Sequence, residues 1–298
     1  MWILSGVRQE PEYRCVEYFA NQGFAVTEIC EILMLNRSSY YKWKHREKSV
    51  NELENEIILH GIGLIYSEFN GTYGYRRILD EYNEAHKTQY NLKRFYRLTQ
   101  LVGMKSVIRR KRPAYQRSTP AITAENILNR NFTAQTPNEK WLTDVTEMKF
   151  GNGEKLYLSA ILDLNGRDIV SFAISKHNNN QLVFDTFDLA VQKYPDAHPL
   201  FHSDRGYQYT SKSFRAKLDH SHMIQSMSRV GRCIDNGPME GFWGILKCEM
   251  YYLQHFENYT TLAKAIENFI HFYNYRRRQH RLDRLAPMDF RRRVVSAA

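Results

Sequence analysis

The spacing of apolar residues changes at Trp141, and that change constrains the fold more than any other feature of the chain. From there "WLTDVTEMKF" alternates apolar and polar positions with the two-residue period of a strand. "GNGEK" turns, "LYLSAILDL" is a second strand, "NGR" turns again, and "DIVSFAIS" is a third. Beyond it, "NNNQLVFDTFDLAVQKY" is helical, "HPLFHSD" is a short buried strand, "YTSKSFRAKLDH" is helical and "MIQSMS" is another strand. After the loop "RVGRCIDNGP" a helix is expected from about Met239 to Tyr252. The order β-β-β-α-β-α-β-α joins a three-stranded meander to strands that alternate with helices. The expected class is α/β, a mixed five-stranded sheet with helices on its faces.

Upstream of Trp141 the spacing is helical. "PEYRCVEYFANQG" stops at Gly23, a residue type that accepts the left-handed backbone beyond a helix end. "VTEICEIL" follows, then the break "MLN", then "RSSYYKWKHR", where Ser38 or Ser39 is the expected cap of a short basic, aromatic helix. Residues 1–50 therefore read as a helix-turn-helix-like DNA-binding segment, with Ser38, Tyr40 and Lys42 as candidate DNA contacts; a plain helical bundle fits the spacing equally. Residues 51–113 read as a second helical domain built on "ENEIILHGIGLIY", "YGYRRILDEYNEAHK" and "NLKRFYRLTQLVG". Polar, proline-punctuated sequence makes 114–137 a linker, and 138–298 the sheet domain with its C-terminal helix and arginine-rich tail.

Charge narrows the partners. Lys and Arg number 42 against 32 acids, a net charge of +10, which favours a polyanion such as nucleic acid. An anionic membrane surface would suit the charge too, but no apolar run approaches the roughly 18 residues of a spanning helix and no signal pattern opens the chain. A cytoplasmic, nucleoid-associated protein is the expectation. From Lys93 to Arg117 there are nine basic residues and no acid. Solvated charge runs normally mix signs, so Arg94, Arg109, Arg110, Lys111 and Arg112 are candidate phosphate contacts. Arg276 and Arg277 open a second arginine-rich stretch with the same expected role, ion pairing to the core being the alternative. The four cysteines have neither disulfide nor zinc spacing and read as reduced packing residues.

Three acids stand where the predicted sheet concentrates chemistry. Asp144 lies on the first strand, Asp204 at the carboxyl end of the fourth, and Glu240 in the first turns of the following helix, whose start Asn236 and Pro238 set. Ligands collect outside the carboxyl ends of strands. Carboxylates gathered there repel one another unless a cation neutralises them, and hard oxygen donors select Mg²⁺ or Mn²⁺. Two such ions roughly 4 Å apart suit in-line phosphoryl displacement. Lys247 falls two turns beyond Glu240 on the same helix face, within reach of a phosphate. His202, Arg205 and Asn236 are candidate supporting residues around the carboxylates.

At these positions "WLTDVT", "HSDRGYQY" and "DNGPMEGFWGILKCE" resemble the signature blocks of the retroviral-integrase-like transposases of bacterial insertion sequences. Between Asp204 and Glu240 lie 35 residues, and Lys247 stands seven beyond Glu240, as in that family. "YGYRRI", "NLKRFYRLTQLVGM" and "YNYRRRQHRLDRLAPMDF" extend the resemblance over most of the chain from about residue 25. Gly241 and Gly237 depart from it, standing where the family commonly has Ser and frequently has Ala. The resemblance implies an RNase H-like core, cleavage at element ends and 3′-hydroxyl strand transfer, two divalent ions per site, binding of terminal inverted repeats and target DNA, and a homo-oligomer of two or more copies.

Duller readings compete at each acid. Asp163, Asp168 and Glu249 are rivals for the site, the first two expected for turn reasons beside "LNGR". Asp204 alone would serve as a turn cap. A non-catalytic DNA-binding repressor or architectural protein derived from a transposase would keep the basic segments without the acids, and an RNase H-like nuclease would cut without joining.

Overall fold

The computed structural model describes residues 9–108, 124–229 and 233–296, the side chains of 233 and 234 excepted. The chain forms two compact units that divide between Arg109 and Arg110.

The first unit is helical. α1 (Glu10–Asn21), α2 (Val26–Ile32) and α3 (Arg37–Lys44) enclose a core of Tyr13, Val16, Ile29, Cys30 and Tyr40. Gly23 takes φ +94 just past α1, the left-handed geometry its position predicted. The cap of α3 is not a serine. Asn36 accepts the N–H groups of Ser38 (2.9 Å) and Ser39 (3.2 Å), because both serines already sit inside the first turn, where their amides need an acceptor.

α4 (Val50–Glu68), α5 (Tyr75–His86) and α6 (Leu92–Leu101) bury Ile58, Ile62, Ile78, Leu79, Tyr82, Phe95 and Leu98. A capping box starts α4: Ser49 Oγ accepts from the Glu52 amide, and the Glu52 carboxylate accepts from the Ser49 amide. Gly61 lies mid-helix because a β-carbon there would fall 2.4 Å from the Tyr82 ring. The close approach of α5 outweighs the roughly 1 kcal/mol that glycine costs in a helix.

The second unit holds the sheet, in the order β3-β2-β1-β4-β5. β1 (Lys140–Phe150), β2 (Glu154–Asp163) and β3 (Ile169–Ser175) form the antiparallel meander; β4 (Leu200–Ser203) and β5 (Ile224–Met227) add parallel to the other side of β1. This is the RNase H-like arrangement. α7 (Asn180–Lys193) and α8 (Lys212–His220) cover one face with Trp141, Val170, Phe187, Phe201 and Phe214. α9 (Gly237–Glu249) and α10 (Tyr259–Tyr275) cover the other with Leu142, Leu158, Phe242, Leu246, Ile266 and Ile270. The alternation of β1 divides these cores, Trp141 pointing to one and Leu142 to the other. α9 begins two residues before its expected start and ends at Glu249, followed by a short 3-10 turn at Tyr251–Leu253. α11 (Pro287–Ser296) closes the chain.

Among the described residues no helix is long and apolar enough to cross a membrane, and Cys15, Cys30 and Cys248 are reduced cysteines.

Candidate active site

Register brings the first two acids together. Trp141 pairs with Phe201 and Leu142 with His202 in the parallel β1–β4 ladder. Two residues further along each strand stand Asp144 and Asp204, level with one another and on the sheet face that α9 covers. Both are half-buried. Burial, then the negative charge of Asp204, raises the Asp144 carboxyl to about 7, and Glu240 adds a smaller repulsion. Burial also raises Asp204, while the Gly206 N–H donated to its Oδ1 (2.9 Å) pulls the other way. The turn-capping role of Asp204 is thus real, and it leaves the second carboxylate oxygen available.

Glu240 is exposed in the first turn of α9, seven residues before half-buried Lys247. Three contacts place this helix. Asn236 is its N-cap by backbone position, but the side chain does not cap; Nδ2 donates to the Thr143 carbonyl at 3.0 Å, tying the helix start to β1 beside Asp144. Asp235, fully buried, accepts from Arg229 (2.9 Å) and Arg130 (2.7 Å), whose guanidinium groups hold its carboxyl far below the usual range. Trp243 Nε1 donates to Asp144 Oδ2 at 3.0 Å. Sequence reading passed over Asp235 and Trp243, although Trp243 stands three residues after Glu240, the spacing that shares a helix face. Tyr209 was missed as well; its buried hydroxyl meets Thr143 Oγ1 at 3.2 Å behind the carboxylates.

Among the described residues no group of three or more His, Cys, Asp or Glu is gathered closely enough to hold a metal ion. The donor chemistry nevertheless fits a hard cation. Burial raises the proton affinity of both half-buried carboxylates, the charge of Asp204 raises that of Asp144 further, and Asn236 leaves a buried Oδ1 without a partner beside them.

Other candidates separate cleanly. His202 is fully buried, its ring nitrogens bonded to Ser226 Oγ (2.9 Å) and Ser228 Oγ (3.2 Å), and burial lowers it to about 4. It is a neutral bridge between β4 and the β5 end. Arg205 donates to the Ser228 carbonyl at 2.7 Å and pins the same loop. The rivals are structural: Glu249 is paired with Arg277, and Asp163 and Asp168 are fully buried against Arg291 rather than merely turning the chain.

Two DNA-contact expectations are overturned. Tyr40 is fully buried in the α1–α3 core, and Arg277 is buried in a two-point ion pair with Glu249 at 2.7 Å, so neither side chain faces solvent. Arg94 is engaged by Glu54 (2.7 Å) and Asn55 (2.8 Å), which fixes α6 to α4. Ser38, Lys42 and Arg276 are exposed. Arg109, Arg110, Lys111 and Arg112 lie outside the described residues.

A 3-2-1-4-5 mixed sheet with one carboxylate within its central strand and another at the carboxyl end of the neighbouring strand, in a strongly basic chain, points to an RNase H-like enzyme of the polynucleotidyl transferase type. Family models bear this out: two described as "Integrase core domain" match residues 134–233 and 240–295, and an "HTH-like domain" model matches 52–112. That last match falls on the segment of α4–α6, not on α2 and α3. InsK of insertion sequence element IS150 from Escherichia coli is 36% identical over 272 residues, covering 91% of this chain and 94% of that protein. The transposase for insertion sequence element IS904 from Lactococcus lactis is 34% identical over 251 residues, covering 83% and 98%. Among solved structures the HTLV-2 integrase catalytic core domain in complex with magnesium is 21% identical with a TM-score of 0.43, covering 52% of this chain and 97% of that one. The chain belongs to the insertion-sequence transposases with an integrase core, and it is a DNA transposase.

Proposed function

We propose that Asp144, Asp204 and Glu240 are the catalytic carboxylates of DNA end cleavage and 3′-hydroxyl strand transfer, and that they hold Mg²⁺ or Mn²⁺, two ions per site. The observation that carries this reading is that the β1–β4 ladder sets Asp144 level with Asp204, where the charges of Asp204 and, less strongly, Glu240 reach the Asp144 carboxyl. When bound, the ions supply Lewis acidity at the scissile phosphate and lower the proton affinity of the attacking water or hydroxyl.

The chain's own part is positioning. Asp144 and Asp204 stand on neighbouring strands that the parallel ladder holds in register, so their spacing belongs to the rigid centre of the sheet. Glu240 enters from α9 and completes the donor set as the helix face closes over them. Lys247, two turns further on, meets a phosphate of the bound strand. Ser38 and Lys42 on α3, Arg276 beyond α10, and the basic stretch from Arg109 to Arg112 follow the sugar-phosphate backbone. Terminal inverted repeats and target DNA are the ligands, two or more copies pair the element ends, and the enzyme works at the cytoplasmic nucleoid.

Replacing Asp204 with Asn keeps the side chain's size and removes its charge. It is expected to lower cleavage and joining of terminal-repeat DNA at least a thousandfold while leaving DNA retardation in gels unchanged. Full activity in Asp204→Asn would exclude this residue from the site.

A further inference from the structure

Trp243 is a buried aromatic of the α9 core whose indole N–H leaves the apolar cluster and bonds Asp144 Oδ2 at 3.0 Å. We infer that Trp243 is a positioning residue for the metal-binding carboxylate: it fixes which oxygen of Asp144 faces the site and locks that oxygen's geometry to the helix bearing Glu240. The inference rests on the assignment of Asp144 as a metal-binding residue.

Three features carry it. An indole N–H donates and cannot accept, so it orients a carboxylate without competing for a cation. It is also neutral. A lysine or arginine in the same place would cancel the charge that attracts the metal, whereas an indole leaves that charge in full. Finally, Trp243 and Glu240 are three residues apart on α9, so the bond that orients Asp144 also sets the rotation of the helix that presents Glu240. With Asn236 held to the Thr143 carbonyl at 3.0 Å, α9 is tied to two successive residues of β1. Hydrogen bonds of this kind to a metal-binding carboxylate commonly govern metal affinity by tenfold or more.

The test uses the full-length chain and Mn²⁺ as the probe, with free Mn²⁺ followed by electron paramagnetic resonance. Trp243→Phe retains an aromatic ring and removes the N–H; it is expected to weaken Mn²⁺ binding about tenfold. In the cleavage assay kcat at limiting Mn²⁺ should fall, with KM for terminal-repeat DNA unchanged. Phe242→Leu, a packing change at the adjacent buried position, controls for loosened α9 and should lower thermal stability with Mn²⁺ affinity unaltered. Wild-type Mn²⁺ affinity in Trp243→Phe, or an equal loss in Phe242→Leu, would overturn the inference. Asp144→Asn separates it from the underlying assignment: if that variant binds Mn²⁺ like the wild type, the metal reading itself fails. If Asp144→Asn loses binding and Trp243→Phe does not, only the role of Trp243 fails.

Discussion

Arg276 and Arg277 are adjacent and chemically identical, yet the fold gives them opposite surroundings. Arg277 has 3% of its side chain exposed and meets Glu249, equally buried, through two bonds of 2.7 Å. Removing one partner of such a pair strands a buried charge, and the cost is about 3 kcal/mol or more. Arg277→Met is therefore expected to lower the unfolding free energy by an amount of that order, read as a fall in the denaturant midpoint of the full chain. Arg276, exposed at the end of α10, can be truncated without that penalty. Arg276→Ala should leave the unfolding curve in place and reduce the salt slope of DNA binding by about one. A large stability loss in Arg276→Ala, or none in Arg277→Met, would contradict the division. Nothing local distinguishes the two in "YNYRRRQ"; the partner of Arg277 is 28 residues away on another helix.

At the scale of elements, periodicity was enough to read the strands and the helices before the tail in order, because each amphipathic face is written in neighbouring residues; α11, within the arginine-rich tail, was not read. What escaped was long-range pairing. Asp163 and Asp168 look like turn acids, and only the fold brings Arg291, more than 120 positions later, against them. The places of Asp144 within a strand and Asp204 at the end of another were legible from the strand-like runs that hold them, and their registry follows from the ladder. Trp243 was not, because an aromatic at helical spacing reads as core, which it also is. The serine expected to cap α3 was a local misplacement instead, since Asn36 caps residues only two and three positions away.

The start of α4 gives this scale its prediction. Glu52 accepts from Arg46 (2.6 Å) and the Ser49 amide (2.8 Å), and the Arg46 bond first of all lowers its carboxyl from 4.5 to about 2. Because the folded value is depressed, the stabilisation is complete above pH 4.5 and is lost as pH falls toward 2. A carbon-detected NMR titration of the Glu52 carboxyl should follow that low midpoint. Arg46→Met should move it back toward 4.5, and a midpoint near 4.5 in the wild type would remove the ion pair from the account.

For the whole molecule, the proposed roles divide by sign, the balance of +10 being assigned to DNA and the acidic pair at Asp144 and Asp204 to divalent cation. Positive charge spread along the chain binds DNA by releasing counterions, so affinity falls steeply with salt and is indifferent to chelators. The carboxylates carry the opposite sign, and in the proposed reading they answer to divalent cation. A cation that binds only the folded site stabilises it by RT ln(1 + [L]/Kd), about 2.7 kcal/mol at one hundred times Kd. Because the carboxylates reside in the sheet unit, the gain belongs to that unit and not to the helical one. Calorimetry of the full chain is therefore expected to show Mn²⁺ raising the transition of the sheet unit, with the helical unit's transition fixed and EDTA reversing the shift. In Asp144→Asn the shift should vanish while DNA binding and its salt slope persist. An equal Mn²⁺ shift in Asp144→Asn would place the ion elsewhere on the chain, and loss of DNA binding on chelation would mean that the two kinds of charge do not act separately.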